Sequence, residues 1–317
     1  MMEHEGKKRV IIEGVKPEID AGRFPVKRTV GERVVVEADI FTDGHDSVSA
    51  LLLYRRDSEE EWRETPLKPL VNDRWQGSFI VDEMGCYVYR LTAWVDHFRT
   101  WRLGLVKKVA AEQDVAIDLL IGAQLVEDAI SRSSASGASR LGEWAETLRS
   151  ENIPLLQRID IALSDELFDI MNANPDRSHA ASYCRELPVS VERERARFSS
   201  WYEMFPRSTS PDPTLHGTFR DCEARLPYIA AMGFDVLYLP PIHPIGREQR
   251  KGRDNTLTPT PDDVGVPWAI GAKEGGHRDI HPELGTLEDF RHLVAKTQEY
   301  GIEIAMDIAF QCAPDHP

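Results

Sequence analysis

One pattern occurs twice in the last third of this chain, and few folds accommodate it. Thr218-x-x-Asp221 and Thr286-x-x-Asp289 each set a hydroxyl three residues ahead of an acid. That is the signature of a capping box, with Asp in the place of the usual Glu or Gln. An amphipathic helix follows the first box, with Leu226, Ile229 and Ala230 on its apolar side, and Gly233 stands where a helix C-cap glycine belongs. The apolar run 234–241 comes next. After the second box Gly301 closes the helix and residues 302–310 form a second apolar run. Continuous apolar runs suit strands buried on both faces. Capped helix, glycine and buried strand, twice over, therefore predict a parallel α/β sheet. The second run carries Asp307, and in barrel enzymes the chemistry sits just past the C-terminal ends of the strands. The chain reaches Pro317 soon afterwards, so the expectation is one edge of an active site on a sheet cut short.

The preceding residues follow other periods. Val34, Val36, Ala38 and Ile40 alternate with Glu37 and Asp39, and Tyr87, Tyr89, Leu91, Ala93 and Val95 repeat the alternation after Gly85. Asp43-Gly44 and Asn72-Asp73 supply turns. Residues 1–108 accordingly read as an Ig-like β-sandwich. Residues 109–197 read as an α-helical bundle. Ile117, Leu120, Ile121, Leu125 and Ala129 form one core stripe there, and Leu156, Ile159, Leu163, Leu167 and Ile170 a second. Ser133 to Ser139 is a loop between helices. The expectation is a multidomain protein whose residues 198–317 begin a barrel.

Charge narrows the partners. The formal net charge of -15 disfavours nucleic acid and anionic membranes, both of which require a basic footprint. No apolar run is long enough to span a bilayer, and the charged N-terminus has no apolar secretory core. Cys86, Cys184, Cys222 and Cys312 include no C-x-x-C pair and read as reduced thiols of a cytoplasmic protein.

Several residues admit a chemical reading and a plainer one. His243, His277, His281 and His316 sit in loop turns, most of them beside prolines, so no metal is expected. Arg247, Arg250 and Arg253 read as a solvated loop face. Asp279 and Glu283 read as structural hydrogen-bonding groups. Cys312 reads as a small apolar filler, there being no evident partner base. Trp62, Trp75, Trp94 and Trp101 read as packing residues and not as a glycan-binding face.

The stretch Tyr238-Leu239-Pro240-Pro241-Ile242-His243, the glycine-rich loop to Gly276, the run from Asp279 to Phe290 and the segment from Gly301 to Asp307 resemble the first three strands of an α-amylase-superfamily (β/α)8 barrel. The superfamily's third strand carries D-x-x-x-N-H. Here Gln311 and Cys312 stand in the place of the Asn and His, which sets the chain apart from plain starch hydrolases. A narrower resemblance lies in Arg250-Lys251-Gly252-Arg253-Asp254-Asn255-Thr256-Leu257, in Gly265-Val266-Pro267-Trp268-Ala269-Ile270-Gly271 and in Gln311-Cys312-Ala313-Pro314-Asp315-His316-Pro317. These runs resemble the α-1,4-glucan:maltose-1-phosphate maltosyltransferases. The order of sandwich and inserted bundle agrees.

The resemblance implies a retaining transfer of maltose from α-maltose 1-phosphate to the non-reducing end of an α-1,4-glucan, without a cofactor. It also implies a homodimer. The nucleophile and the acid/base carboxyl, about 5 Å apart in retaining enzymes, belong to later strands of the superfamily barrel. None of the catalytic residues is thus expected in this chain, and the isolated chain is expected to be inactive. By residue-to-residue match Lys251 and Gln311 contact the donor, with Asn255 beside them. Asp307 is structural, and Trp268 and Cys312 line the site. Two rival readings are a non-catalytic glycan-binding or dimerisation fragment and a branching or debranching relative. The Gln311-Cys312 pair and the run from Arg250 to Asn255 speak against the second.

Overall fold

The computed structural model describes residues 8–317; residues 1–7, which bear on the secretory reading, lie outside the described residues. The chain divides into two compact units between Glu194 and Arg195.

In the first unit β1 (Val10–Lys16), β2 (Val26–Thr29), β3 (Arg33–Thr42), β4 (Val48–Arg56), β5 (Arg63–Pro66), β6 (Lys68–Pro69), β7 (Arg74–Ile80) and β8 (Gly85–Val95) come first. Five helices follow: α1 (His97–Ala110), α2 (Ala116–Ala129), α3 (Ala135–Arg149), α4 (Leu155–Ala162) and α5 (Asp165–Ala173). The strands β9 (Ala181–Ser182) and β10 (Leu187–Glu192) then return to the sheets. One sheet runs β1-β3-β7-β6; the other runs β2-β10-β8-β4-β5, with β9 on β8. The two-residue alternation explains their shared core. Val34, Val36, Ala38 and Ile40 of β3 are fully buried, and they join Trp75, Phe79, Tyr87, Tyr89 and Leu91 from both sheets. Asn72 and Asp73 turn the chain at φ 54° and 59°, as the turn reading requires.

The helices build a separate core from Phe98, Trp101, Leu119, Ala123, Val126, Leu141, Leu148, Ile159 and Leu167, among others. This corrects the expected stripe on α2. Ile117, Leu120 and Ile121 are 72%, 51% and 50% exposed, while Leu119, Ala123, Val126 and Ala129 are buried. The helix is apolar nearly all round, so two faces satisfy helical spacing and periodicity alone cannot choose between them. Leu156 is likewise exposed, whereas Ile159 and Leu167 are buried.

Two element boundaries also differ from those expected. Helix begins at His97, not near 109, because the Asp96 carboxylate accepts from the Arg99 amide and caps α1. Residues 187–192 are strand, not helix. Leu187, Val189 and Val191 point into the sheet core, and β10 pairs with β8 antiparallel and β2 parallel. Trp75, Trp94 and Trp101 are buried, consistent with packing roles. The Trp62 ring lies beneath the guanidinium groups of Arg55 and Arg90, each 4.7 Å from its centroid.

The second unit is a three-stranded parallel sheet, β11 (Trp201–Glu203), β12 (Val236–Leu239) and β13 (Glu303–Met306), in the order β11-β12-β13. The helices α6 (Phe219–Glu223) and α7 (Leu226–Ala231) join β11 to β12, and α8 (Leu287–Glu299) joins β12 to β13. Both capping boxes form as read, with Asp221 and Asp289 each returning a bond to the Thr backbone. Gly233 and Gly301 leave their helices at φ 82° and 70°. The single helix expected after Thr218 is two short ones, and Pro227 opens the second, where its missing N–H costs nothing. The strands are shorter than the apolar runs. Beyond Asp307, Ile308 and Phe310 are 65% and 91% exposed.

Candidate functional site

The loops that follow β12 and β13 are tied to each other. Ile245 bridges to Ile270, and Ile270 bridges to Cys312. Gly246 N donates to Ala269 O at 2.8 Å and Ala313 N to Ile270 O at 2.8 Å. Arg250 holds the loop after β12 from within. Its guanidinium donates to the carbonyls of Gly246, Ile245 and Asp263 at 2.8, 2.9 and 2.6 Å. Burial pushes its pKa down, helped by Arg247. Arg250 is thus an internal clamp, which corrects its reading as a solvated residue. Arg253 is exposed, and Arg247 pairs with Glu274 at 2.9 Å.

Lys251 and Asn255 line one cavity of about 330 Å³ together with Arg207, Gly252, Asp262, Asp263 and Gly265. The turn that carries Asn255 is held by a Gly252 N to Thr256 O bond of 2.9 Å, and Asp254 and Asn255 adopt φ of 54° and 61°. Asp263 accepts from the Thr260 and Arg253 amides, and these bonds, the Thr260 amide first, hold its carboxyl below the usual range. Arg207 was not singled out from sequence. It donates to Gly265 O at 3.0 Å, and burial lowers its pKa. The segment Phe205-Pro206-Arg207 just after β11 was the available signal.

At the end of β13 the Asp307 carboxylate accepts from the Trp268 indole N–H at 2.5 Å. Phe205 packs edge-on against Trp268 at 5.9 Å. Burial, and then the bond to Asp307, raises the Tyr238 phenol. Trp268 and Asp307 therefore meet. Gln311 and Cys312 are both exposed and do not line the Lys251 cavity. Exposure corrects the reading of Cys312 as a filler. Asp279 accepts from the Gly276 amide at 3.0 Å, in keeping with a structural role.

Two histidine clusters also form. His277, Cys312 and His316 bring one ligand atom each to within 4.8 Å of one another, as do His216, His281 and Glu283. In each set two residues are close in sequence, Cys312 with His316 and His281 with Glu283, but the third, His277 or His216, is brought in from another loop and could not be paired by spacing. The His216 and His281 rings stack at 5.4 Å, and burial, followed by His216, lowers the His281 pKa.

Comparison with known proteins places these loops. Residues 8–193 match the family described as α-1,4-glucan:maltose-1-phosphate maltosyltransferase, domain N/S, and residues 191–316 match the α-amylase catalytic domain. A curated α-1,4-glucan:maltose-1-phosphate maltosyltransferase of Myxococcus xanthus is 52% identical over 97% of this chain and 47% of its own length. One of Methylacidiphilum infernorum is 48% identical over 99% of this chain and 46% of its own. The chain spans about half the length of the curated relatives it matches. A solved α-amylase from Lactobacillus plantarum is 33% identical over 38% of this chain and 25% of its own, with a TM-score of 0.31, too loose a likeness to bear on the fold. With its first unit matched almost end to end and its second matched to the catalytic domain, the chain belongs to the α-1,4-glucan:maltose-1-phosphate maltosyltransferase family.

Proposed function

We propose that the protein carrying this chain moves maltose from α-maltose 1-phosphate to the non-reducing end of α-1,4-glucans with retention of configuration. The observation that carries this reading is the family match over residues 8–193, joined to 52% identity with a named maltosyltransferase. In such a transfer a carboxylate displaces phosphate and holds the sugar as a glycosyl ester. A second carboxyl protonates the departing phosphate and then takes the proton of the acceptor hydroxyl. Those two groups are not assigned to residues of this chain, and the chain alone is not expected to turn over.

The contribution of residues 195–317 is donor binding. Lys251 offers a compact cation with three donors, suited to phosphate oxygens and sugar hydroxyls, and Asn255 lines the same cavity. Gln311 reaches the donor from the end of β13. Asp307, held by Trp268, orders the site without reacting, and Cys312 flanks it. The second unit is read as the opening of a (β/α)8 barrel, which the parallel order β11-β12-β13 supports. The sandwich is read as Ig-like, with the bundle as its own domain. The exposed apolar side chains Ile117, Leu120 and Ile121 support a homodimer through α2. Neither nucleic acid nor membrane is a partner in this reading, in line with the net charge of -15, and the protein is placed in the cytoplasm.

The test is Lys251→Ala in a full-length family member carrying this segment. Losing a charged hydrogen bond costs about 1.5–3 kcal/mol, or about ten- to a hundred-fold in kcat/KM for the donor. Arg291→Ala, a largely exposed position on α8 away from the cavity, stays near wild type. Donor kinetics unchanged in Lys251→Ala would remove this cavity from the site.

A further inference from the structure

Three side chains from two loops converge beyond the end of β13, His277 from the loop before α8 and Cys312 and His316 from the segment after β13. His277 Nε2 lies 2.6 Å from the Ala309 carbonyl oxygen. A carbonyl only accepts, so Nε2 carries the proton, and in the neutral ring Nδ1 presents a lone pair. That lone pair faces His316 Nε2 at 3.0 Å. The contact is closed either by the His316 Nε2–H donating to His277 Nδ1 or by a metal ion held between the two nitrogens.

The surroundings favour the metal. The Cys312 Sγ is the third atom of the cluster, all within 4.8 Å of one another. Cys312 is exposed, and its only hydrogen bond among the described residues is a long one, 3.6 Å, to Phe310 O. The thiol is therefore free to turn about χ1. The carbonyl of Ala309 is an outer partner of the kind that fixes ring tautomers in metal sites. Room for the His316 ring is built into the backbone. A Cβ on Gly271 or Gly276 would sit 2.4 or 2.5 Å from its atoms.

We propose that His277 Nδ1, His316 Nε2 and Cys312 Sγ bind a borderline-soft divalent transition metal of the zinc class, with the fourth position open to solvent. Metal–nitrogen bonds of about 2.0–2.1 Å and a metal–sulfur bond of about 2.3 Å place tetrahedral ligand atoms about 3.3–3.6 Å apart. The two rings need to part by a few tenths of an ångström, and the thiolate closes the remainder by rotation. Binding releases the thiol proton to solvent and leaves both imidazoles neutral. The site stands independently of the maltosyl-transfer reading.

The test is a titration of the 317-residue chain with zinc against a chromophoric chelator, and with cobalt(II) followed by absorption. The expected result is one equivalent of zinc and a thiolate-to-cobalt charge-transfer band in the wild type. Cys312→Ser should abolish the band, and Cys312→Ser and His316→Gln should each weaken zinc binding at least about tenfold. His281→Gln, in the other histidine cluster, should leave zinc affinity unchanged. Sub-stoichiometric zinc, a wild-type cobalt spectrum without the band, or affinity unmoved by both ligand substitutions overturns the proposal. Imidazole nitrogen shifts showing one proton shared by the two rings that zinc fails to displace also overturn it. The wild-type cobalt spectrum decides even if a variant folds poorly.

Discussion

Single residues carry much of the local order of the second unit. Asp289 closes the α8 capping box and also accepts from Arg220 at 3.2 Å. The Thr286 side chain and amide, with Arg220, hold its carboxyl down to about 2, against an ordinary value of 3.8. The folded pKa is the depressed one, so the stabilisation is whole above the ordinary value and disappears as the pH falls through about 2. Denaturant melts of wild type and Asp289→Asn should thus differ at neutral pH and converge as the pH is lowered through that window. A gap that persists undiminished under acid would refute this account. The two boxes were legible in the sequence because hydroxyl and acid sit within one turn. Arg250 was not, because its three carbonyl partners lie on loop segments that only the fold brings around it. Cys312 was misread for the same reason. A thiol's neighbours are a property of the fold, and Cys312 turned out exposed beside His277 and His316.

Among the elements, α2 shows what periodicity can and cannot say. Helix was legible over 117–129; the buried face was not, since apolar residues line more than one side. What selects the inner face is close packing at Gly122, where a Cβ would lie 2.0 Å from Cζ2 of Trp101. The Trp101 indole N–H in turn donates to Asp118 O at 2.7 Å, so the ring cannot retreat freely. Gly122→Val should destabilise the first unit by about 1–3 kcal/mol, the usual cost of overpacking, and Gly142→Val on α3, with open space around it, should lack that overpacking term. Equal denaturation midpoints for Gly122→Val and wild type would show that the Trp101 contact does not set the face. The strands tell a similar story. Alternation in β3 and β8 was read correctly, whereas β10 was absorbed into the helical region although Leu187, Val189 and Val191 alternate just as well. A three-point alternation is too short to outweigh the helical pattern before it, and its partners in β2 and β8 are distant in sequence.

For the first unit as a whole, the position of β9 beside β8 carries a consequence. Ala93 and Ala181 are direct cross-strand partners, as are Thr92 and Ser182. The chain thus departs from one rung of an antiparallel ladder and comes back on the same rung. The five helices in between have a core that shares no residue with that of the sheets. In effect the whole helical segment is an overgrown hairpin turn. Replacing residues 95–179 by Asn-Gly leaves Trp94 and Ala180 flanking a tight turn of the kind antiparallel strands prefer. The shortened protein should keep a cooperative thermal transition and the near-ultraviolet signal of Trp75, which is buried in the sheet core. It should also refold faster, because pairing β9 with β8 no longer requires closing a long loop. Loss of cooperativity would mean that the helices brace the sheets. If cooperativity persists, the helical segment is a graft on a scaffold complete without it, and exchanging it between relatives should leave the sheets undisturbed.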